Sequence, residues 1–258
     1  PQEFAVGTTQ ERYNQLQDVN GASALIDRSI TGQYAPGSTF KLVTAAAALS
    51  NGLIDGNSSI YDDGVYKVGN PAQEFTNAGS IKHGNVNVVR GLTVSSDVYF
   101  YWLGDRMDGT TLIQDAATAF GFDKRTGIDL PNESAGYVLT KAEKKALSKK
   151  YPDAYPNGDW YTGDNVQLAV GQNVIVVTPL QLARAYAAFA NGGTVYQPHV
   201  VWKILRPNST TTDPSDVLRV LEPVVTGTVT LPPDVRGPIA SGLEGVTSGS
   251  GTGASAFV

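Results

Sequence analysis

Ser38 and Lys41 lie three positions apart at the start of a predicted helix, and these residue types at this spacing could carry nucleophilic catalysis. Pro36 and Gly37 interrupt the chain just before a run of strong helix formers, which places Ser38 in the first helical turn. Because residues i and i+3 share one face of a helix, the Lys41 amine is expected to reach the Ser38 hydroxyl. A neutral amine there could accept the serine proton while the serine attacks a carbonyl carbon.

The predicted helix is apolar on nearly every side, since Phe40, Leu42, Val43 and residues 45–49 are all apolar. Such a helix is expected to be buried all round, with Lys41 as its only charge. Burial lowers the pKa of a lysine, and the free N–H groups of a helix N-terminus favour a developing oxyanion. The Ser-x-x-Lys pattern alone is weak, because most such pairs are a capping serine and a solvated lysine. The expected burial of the charge is what favours catalysis here.

A second polar group, Ser95-Ser96-Asp97, precedes another apolar helix predicted over 96–107. Serine and aspartate are preferred N-cap residues, so a purely structural role would explain all three. The alternative is that Ser95 and Asp97 face Ser38 and Lys41 from a loop. Ser95 could then relay a proton to a leaving amine, and Asp97 could hold Lys41 and the substrate backbone.

Composition narrows the functional classes. The 258 residues are 41% hydrophobic, which is enough for one large domain or two modest ones. With 19 basic and 24 acidic residues the net charge is −5, which argues against nucleic acid or an anionic membrane surface as the main partner. There is no cysteine and there are only two histidines, His83 and His199, both expected on the surface or in loops. This composition excludes a disulfide framework and a thiolate metal site, and it leaves little for a multi-histidine metal site. No signal peptide is visible, and no run approaches the ~18 apolar residues of a membrane span.

Helical patterns outnumber strand patterns along the chain. Besides the helix that follows Ser38, periodicity and capping signals predict helices over 11–16, 96–107, 111–120, 140–151, 178–191 and 233–246. Residues 52–90 and 195–205 are expected to form loops and small strands, with a mobile loop over 208–216. The lysines of the charged helix are expected to form a solvated face; they are Lys144, Lys145, Lys149 and Lys150.

The motifs resemble those of the penicillin-binding transpeptidases. S-x-x-K, S-D-N and K-T-G are the signature of penicillin-binding proteins and class A β-lactamases. Residues 34–41 look like the first motif, and Ser95-Ser96-Asp97 followed by 98–101 looks like the second. Further segments are similar to ones these enzymes share; they are 120–133, 163–172, 178–183 and 190–193. The resemblance covers most of the chain from about Ala24 onward and identifies it as a member of this family.

Two departures from the family pattern stand out. Asp97 occupies a position where most members have asparagine, a variant that looks like the rod-elongation branch of the class B enzymes. No Lys-Thr-Gly or Lys-Ser-Gly occurs, and residues 245–258 resemble the segment just upstream of that third motif. The resemblance therefore implies that 1–258 is one partial transpeptidase domain, truncated before the third motif and lacking the early strands. The expected fold is α+β, of the penicillin-binding/serine β-lactamase type, with its helical subdomain present and its central antiparallel sheet incomplete.

The resemblance also implies a function, a peptidoglycan D,D-transpeptidase that cross-links stem peptides through a serine acyl-enzyme. Ser38 would be the nucleophile, Lys41 the general base, and Ser95 and Asp97 their partners. The implied ligands are stem peptides and β-lactams, with cell-wall elongation or division proteins as further partners. The resemblance implies no metal or organic cofactor. The expected location is the extracytoplasmic face of the bacterial membrane, held by an anchor in the full-length parent that this chain lacks.

Several alternatives share the acylation step. A D,D-carboxypeptidase or a serine β-lactamase would use Ser38, Lys41 and Ser95, although the long segment 163–193 favours a transpeptidase. A β-lactam sensor would be acylated without turnover. A non-catalytic cell-wall interaction module stays open as well, because the third motif is missing.

Overall fold

A computed structural model of the chain describes residues 2–18, 21, 23–209, 213–249 and 251–257. The helices in these residues are α1 (Gln2–Val6), α2 (Gln10–Gln17), α3 (Lys41–Ser50), α4 (Val88–Thr93), α5 (Asp97–Arg106), α6 (Leu112–Ala119), α7 (Lys141–Lys150), α8 (Thr162–Ala169), α9 (Pro179–Ala190) and α10 (Pro233–Val246). The strands are β1 (Ser59–Asp62), β2 (Val65–Val68), β3 (Gln73–Thr76), β4 (Gly84–Asn87), β5 (Tyr137–Val138), β6 (Ile175–Val176), β7 (Thr194–Tyr196), β8 (Lys203–Leu205), β9 (Val217–Val220) and β10 (Val225–Thr228).

Helix α3 lies at the centre of the hydrophobic core. All of its residues except the last, Ser50, are buried, and it packs against α4, α5, α6 and α10. Its run of four alanines has small side chains, so neighbouring helices can approach closely. Just before α3, the fully buried Phe40 meets Phe122 edge to face, with ring centroids 5.8 Å apart. The start of this helix is therefore anchored in the core.

The helices that surround α3 also pack against other helices. Helix α5 packs against α8, and α4 packs against α10. The contact between α5 and α8 depends on Gly104, because a methyl group there would lie only 2.8 Å from the Asn165 backbone oxygen. The Asn165 side chain in turn donates a hydrogen bond to the Gly104 carbonyl at 2.7 Å. This close approach keeps α5 fixed against the core.

The strands form small antiparallel pairs. In the part of the chain that the structure describes, each strand has one partner, and the pairs are β1–β4, β2–β3, β5–β6, β7–β10 and β8–β9. In the first pair, Ile60 lies opposite Val86, so β1 runs beside β4 in regular register. The fold is α+β, as predicted, with small sheets around a helical core.

The predicted helices are all present, and most of their ends differ by at most one residue from the sequence-based bounds. The exception is α3, which begins at Lys41, with Ser38 in the turn before it. The prediction for Lys144 is wrong, since its amine forms a 2.6 Å ion pair with the nearly buried Asp164 carboxylate instead of facing solvent. The loop predicted over 208–216 falls partly on residues 210–212, which lie outside the described residues. Among the described helices, none is long and apolar enough to cross a membrane.

Candidate active site

Ser38 lies in a single 3₁₀ turn, Gly37–Phe40, that runs directly into α3. The turn is held on both sides: the Gly37 N–H donates to the Gly171 carbonyl at 2.9 Å, and the Thr39 hydroxyl donates to the Pro36 carbonyl at 2.7 Å. Phe40 is buried while Ser38 is exposed. The chain thus presents the Ser38 hydroxyl outward from a turn whose neighbours are fixed.

Lys41 is the first residue of α3, and its side chain is only 1% exposed. Its Nζ donates to Asp97 Oδ1 at 2.6 Å, to the Ser95 carbonyl at 2.9 Å and to Ser95 Oγ at 3.0 Å. The Phe100 ring lies 5.4 Å from the same nitrogen. An ammonium group has three N–H donors, so this arrangement satisfies all of them.

Two opposed effects act on the Lys41 pKa. Burial lowers it, because desolvation disfavours the charged form, whereas the charge of Asp97 and its hydrogen bond raise it. The net direction of the pKa shift is downward. A lysine of this kind gives up its proton more readily than a solvated one, as a general base requires.

The expected hydrogen bond between the Lys41 amine and the Ser38 hydroxyl is absent from the structure. Both residues are described, and no hydrogen bond joins their side chains, since the Lys41 amine is fully engaged by Ser95 and Asp97. Lys41 is therefore tied to the second motif rather than to the serine one turn before it.

The group Ser95-Ser96-Asp97 combines the two roles that the sequence left open. Ser96 is the N-cap of α5 and accepts a hydrogen bond from the Tyr99 N–H at 3.1 Å, which is the structural role. Ser95 and Asp97, on either side of it, both contact Lys41. Ser95 has φ +54°, an unusual left-handed conformation for serine, and both its carbonyl and its hydroxyl accept hydrogen bonds from Lys41.

A cavity of ≈ 480 Å³ brings the two motifs together. Its lining comprises Ser38, Asn77, Ala78, Ile81, His83, Arg90, Val94, Ser95, Asp97 and Thr252. This volume is in the range of small-molecule sites. His83, expected to be an ordinary surface or loop residue, lies on the wall of this cavity. Among the described residues, no group of three or more His, Cys, Asp or Glu could hold a metal ion.

Asp62 and Asn77 are the residues near this site that the sequence did not reveal. Asp62 is fully buried and accepts a hydrogen bond from Ser96 Oγ at 2.6 Å. Asn77 lines the cavity and accepts one from the Val98 N–H at 2.9 Å. Asp62-Asp63-Gly64 has the composition of a simple turn, so no motif or spacing marks its first carboxylate.

Comparison with known proteins places these features in a family. The family model of the penicillin binding protein transpeptidase domain matches residues 4–254. Peptidoglycan D,D-transpeptidase MrdA of Acinetobacter baumannii is 34% identical over 201 residues, which are 78% of this chain and 28% of that protein. The relatives from Escherichia coli K12 and Haemophilus influenzae carry the same name, at 32% and 31% identity.

Solved structures of penicillin-binding proteins have a similar fold. Pseudomonas aeruginosa PBP2, in complex with WCK 5153, superposes with a TM-score of 0.77 at 26% identity, over 97% of this chain and 53% of that one. Helicobacter pylori PBP2, solved with MreC, gives a TM-score of 0.73 at 26% identity, over 95% of this chain and 41% of that one. The chain spans about a third of the length of the curated MrdA relatives.

Proposed function

Because the chain belongs to the penicillin-binding protein transpeptidase family, we propose that it carries the acylation centre of a peptidoglycan D,D-transpeptidase. The observation that carries this proposal is that buried Lys41 is held by Ser95 and Asp97, which line one cavity together with Ser38. A nucleophile, a lysine with a lowered pKa and a second hydroxyl at one site are the groups that serine acyl transfer requires.

In the proposed reaction, Ser38 Oγ attacks the carbonyl carbon of the penultimate D-Ala of a stem peptide. Neutral Lys41 receives the serine proton, and the negative charge that forms on the carbonyl oxygen faces the N-terminal end of α3. The bond to the terminal D-Ala breaks, and Ser95 passes the proton to the departing amine. An ester between Ser38 and the stem peptide results.

A second half-reaction completes the cross-link. The amine of a neighbouring stem attacks the ester, a new amide forms, and the amine proton returns through Ser95 and Lys41 to Ser38 Oγ. A β-lactam would acylate the same hydroxyl by opening its ring and would remain attached. The names of the relatives and the acidic residue at Asp97 support assignment to the rod-elongation branch of class B.

Partners and location follow from the same assignment. Peptidoglycan stems and β-lactams are the proposed ligands, and an elongation protein of the kind bound to H. pylori PBP2 is the proposed macromolecular partner. The proposed place of action is the extracytoplasmic face of the bacterial membrane.

Intact-mass spectrometry after incubation with benzylpenicillin tests the proposal. We expect one adduct, mapped by peptide digestion to Ser38, and none in Ser38→Ala. Ser50→Ala, an exposed serine at the other end of α3, is the matched control and should label normally. Lys41→Met, which keeps the buried volume but removes the base, should slow acylation about 10²- to 10⁴-fold. Normal labelling of Ser38→Ala or of Lys41→Met would refute the role assigned to that residue.

Because the third motif does not occur in these 258 residues, the experiment needs a second arm. If the 258-residue chain is not labelled but a longer chain containing it is, on Ser38, the assigned roles stand and the cavity needs groups from beyond these residues. If neither is labelled, the catalytic proposal fails and the non-catalytic interaction module becomes the better interpretation. The rate at which the adduct is lost separates a transpeptidase from a β-lactamase, which would hydrolyse it quickly.

A further inference from the structure

The Asp62 carboxylate is fully buried, and four hydrogen bonds end on it. Oδ1 accepts from the Gly64 N–H at 2.8 Å and from Asn77 Nδ2 at 2.9 Å. Oδ2 accepts from Asn77 Nδ2 at 2.9 Å and from Ser96 Oγ at 2.6 Å. Removing a carboxylate from water is unfavourable unless hydrogen-bond donors compensate for the lost hydration. Burial this complete therefore indicates either that the surrounding donors offset the cost or that the carboxylate has a function.

The two side chains that contact Asp62, those of Ser96 and Asn77, also accept hydrogen bonds from the first turn of α5. Ser96 Oγ accepts from the Tyr99 N–H at 3.1 Å, and Asn77 Oδ1 accepts from the Val98 N–H at 2.9 Å. These are two of the free N–H groups with which any helix begins. Asp62 accepts hydrogen bonds from the Ser96 hydroxyl and from the Asn77 side-chain amide. These bonds fix the direction in which each of the two side chains points. The helix start is thereby held at both of these N–H groups.

The same turn carries every acceptor of the Lys41 amine. Those acceptors are the carbonyl and hydroxyl of Ser95, whose backbone is strained at φ +54°, and the carboxylate of Asp97. We propose that Asp62 is a positioning residue that, through Ser96 and Asn77, holds the Ser95–Asp97 turn in register with Lys41. The proposal rests on the proposed function for its catalytic meaning. Asn77 Nδ2 also donates to the Ile81 carbonyl at 2.7 Å, so the cavity wall is tied to the same carboxylate.

Asp62→Asn is the informative substitution, because it keeps the shape of the side chain. Asn77 cannot turn over to match it, since its two ends already pair with the Val98 N–H and the Ile81 carbonyl. Either orientation of a new amide at Asp62 therefore places an N–H₂ group against Asn77 Nδ2. The neighbouring Asp63 is exposed, and Asp63→Asn removes the same charge at the surface as a matched control.

Ser96→Ala separates positioning from charge. Asp62→Asn deletes a buried negative charge, which by itself would lower the pKa of a nearby lysine. Ser96→Ala deletes no charge; it removes one of the two connections from Asp62 to the turn, together with the N-cap hydrogen bond from the Tyr99 N–H. The other titratable groups at the cavity, Asp97, Arg90 and His83, are the same in all variants. Ser96→Ala also serves if Asp62→Asn does not fold.

Two readouts are measured on the 258-residue chain and on the longer chain containing it. Lysine ¹³Cε NMR reports the Lys41 pKa without any acylation. We expect it to fall in Asp62→Asn and in Ser96→Ala, since both loosen the groups that favour the charged form, and not in Asp63→Asn. The benzylpenicillin acylation rate constant should fall about 10- to 100-fold in the first two variants, because small displacements of reacting groups cost that much. The rising limb of its pH profile should move to lower pH.

The outcomes are distinct. A Lys41 pKa that moves in Asp62→Asn but not in Ser96→Ala would mean that Asp62 acts as a charge through space, and would overturn the positioning role. Slower acylation with an unmoved pKa in both variants would reduce Asp62 to structural support and overturn it as well. If the unaltered chains are not acylated at all, the proposed function fails, while the NMR titration still decides whether Asp62 positions the turn.

Discussion

Gly171 packs directly against the turn that carries Ser38. Its φ is +72°, and its carbonyl accepts the Gly37 N–H at 2.9 Å. A methyl group at this position would lie 2.7 Å from Phe40 Cβ and 2.9 Å from the Gly37 nitrogen, and closer still to the Gly37 oxygen. Two of these three atoms belong to the backbone, so no change of rotamer can relieve the contact. Gly171→Ala must therefore displace the turn.

Gly171→Ala lowers the free energy of unfolding for two reasons, backbone strain and overpacking. A left-handed conformation costs a residue with a Cβ about 1–2 kcal/mol. Overpacking a tight contact costs about 1–3 kcal/mol more. Gly52, directly beyond the end of α3, isolates the first term, because its φ is +66° and no atom lies within 4 Å of the place that an added methyl group would take. Gly171→Ala should then destabilise the chain by about 1–3 kcal/mol more than Gly52→Ala does.

Urea unfolding of both variants measures this difference, and the acylation rate of Ser38 measures its functional consequence. We expect Gly171→Ala to slow acylation at least about tenfold relative to Gly52→Ala, since displacement of the nucleophile by a fraction of an ångström is enough. Equal unfolding free energies for the two variants would refute the steric reasoning. A large difference in stability with equal acylation would refute the claim that Gly171 positions Ser38.

The ion pairs of Asp97 with Lys41 and of Asp164 with Lys144 can each be tested by a substitution. Asp97→Asn should move the rising limb of the acylation rate to lower pH, because Asp97 raises the pKa of Lys41 against the effect of burial; a pH–rate profile that does not move would contradict this. Lys144→Ala leaves the nearly buried Asp164 with the hydrogen bond from the Tyr161 N–H but without its ion-pair partner, and should lower the free energy of unfolding by about 3–5 kcal/mol. The exposed Lys145→Ala should cost less than about 0.5 kcal/mol, and equal urea midpoints for the two lysine variants would contradict the reasoning.

Seven of the ten described helices could be predicted because their signals are local, whereas α1, α4 and α8 were not predicted. Thr178 and Pro179 mark the start of α9 as N-cap and first residue, and Thr178 does accept the Gln181 N–H at 3.2 Å. The apolar run of α3 predicted a helix buried all round, as found. The Lys144 prediction failed because its partner Asp164 is 20 residues away, and no local pattern reveals such a pair.

The candidate site was also predictable only as far as local sequence signals reach. Short motifs marked Ser38, Lys41, Ser95 and Asp97 as candidates. In the structure Ser38, Ser95 and Asp97 line one cavity, and Lys41 contacts the last two. Their connections were not predictable, since the contacts of Lys41 reach across 54 and 56 positions of the chain. The buried Asp62 is a clearer case, because its meaning depends on a contact 34 positions away and its local sequence looks like a turn.

The acceptors around Lys41 explain how a fully bonded ammonium group could still act as a base. Loss of a proton leaves the amine with two N–H donors and one lone pair, so one of its three acceptors loses its partner. The Ser95 carbonyl and the Asp97 carboxylate can only accept, whereas the Ser95 hydroxyl can turn and donate to the new lone pair. Of these three contacts, the Ser95 hydroxyl is therefore the one that suits both protonation states of Lys41. This property fits it to carry protons between the buried amine and the cavity that Ser38 faces.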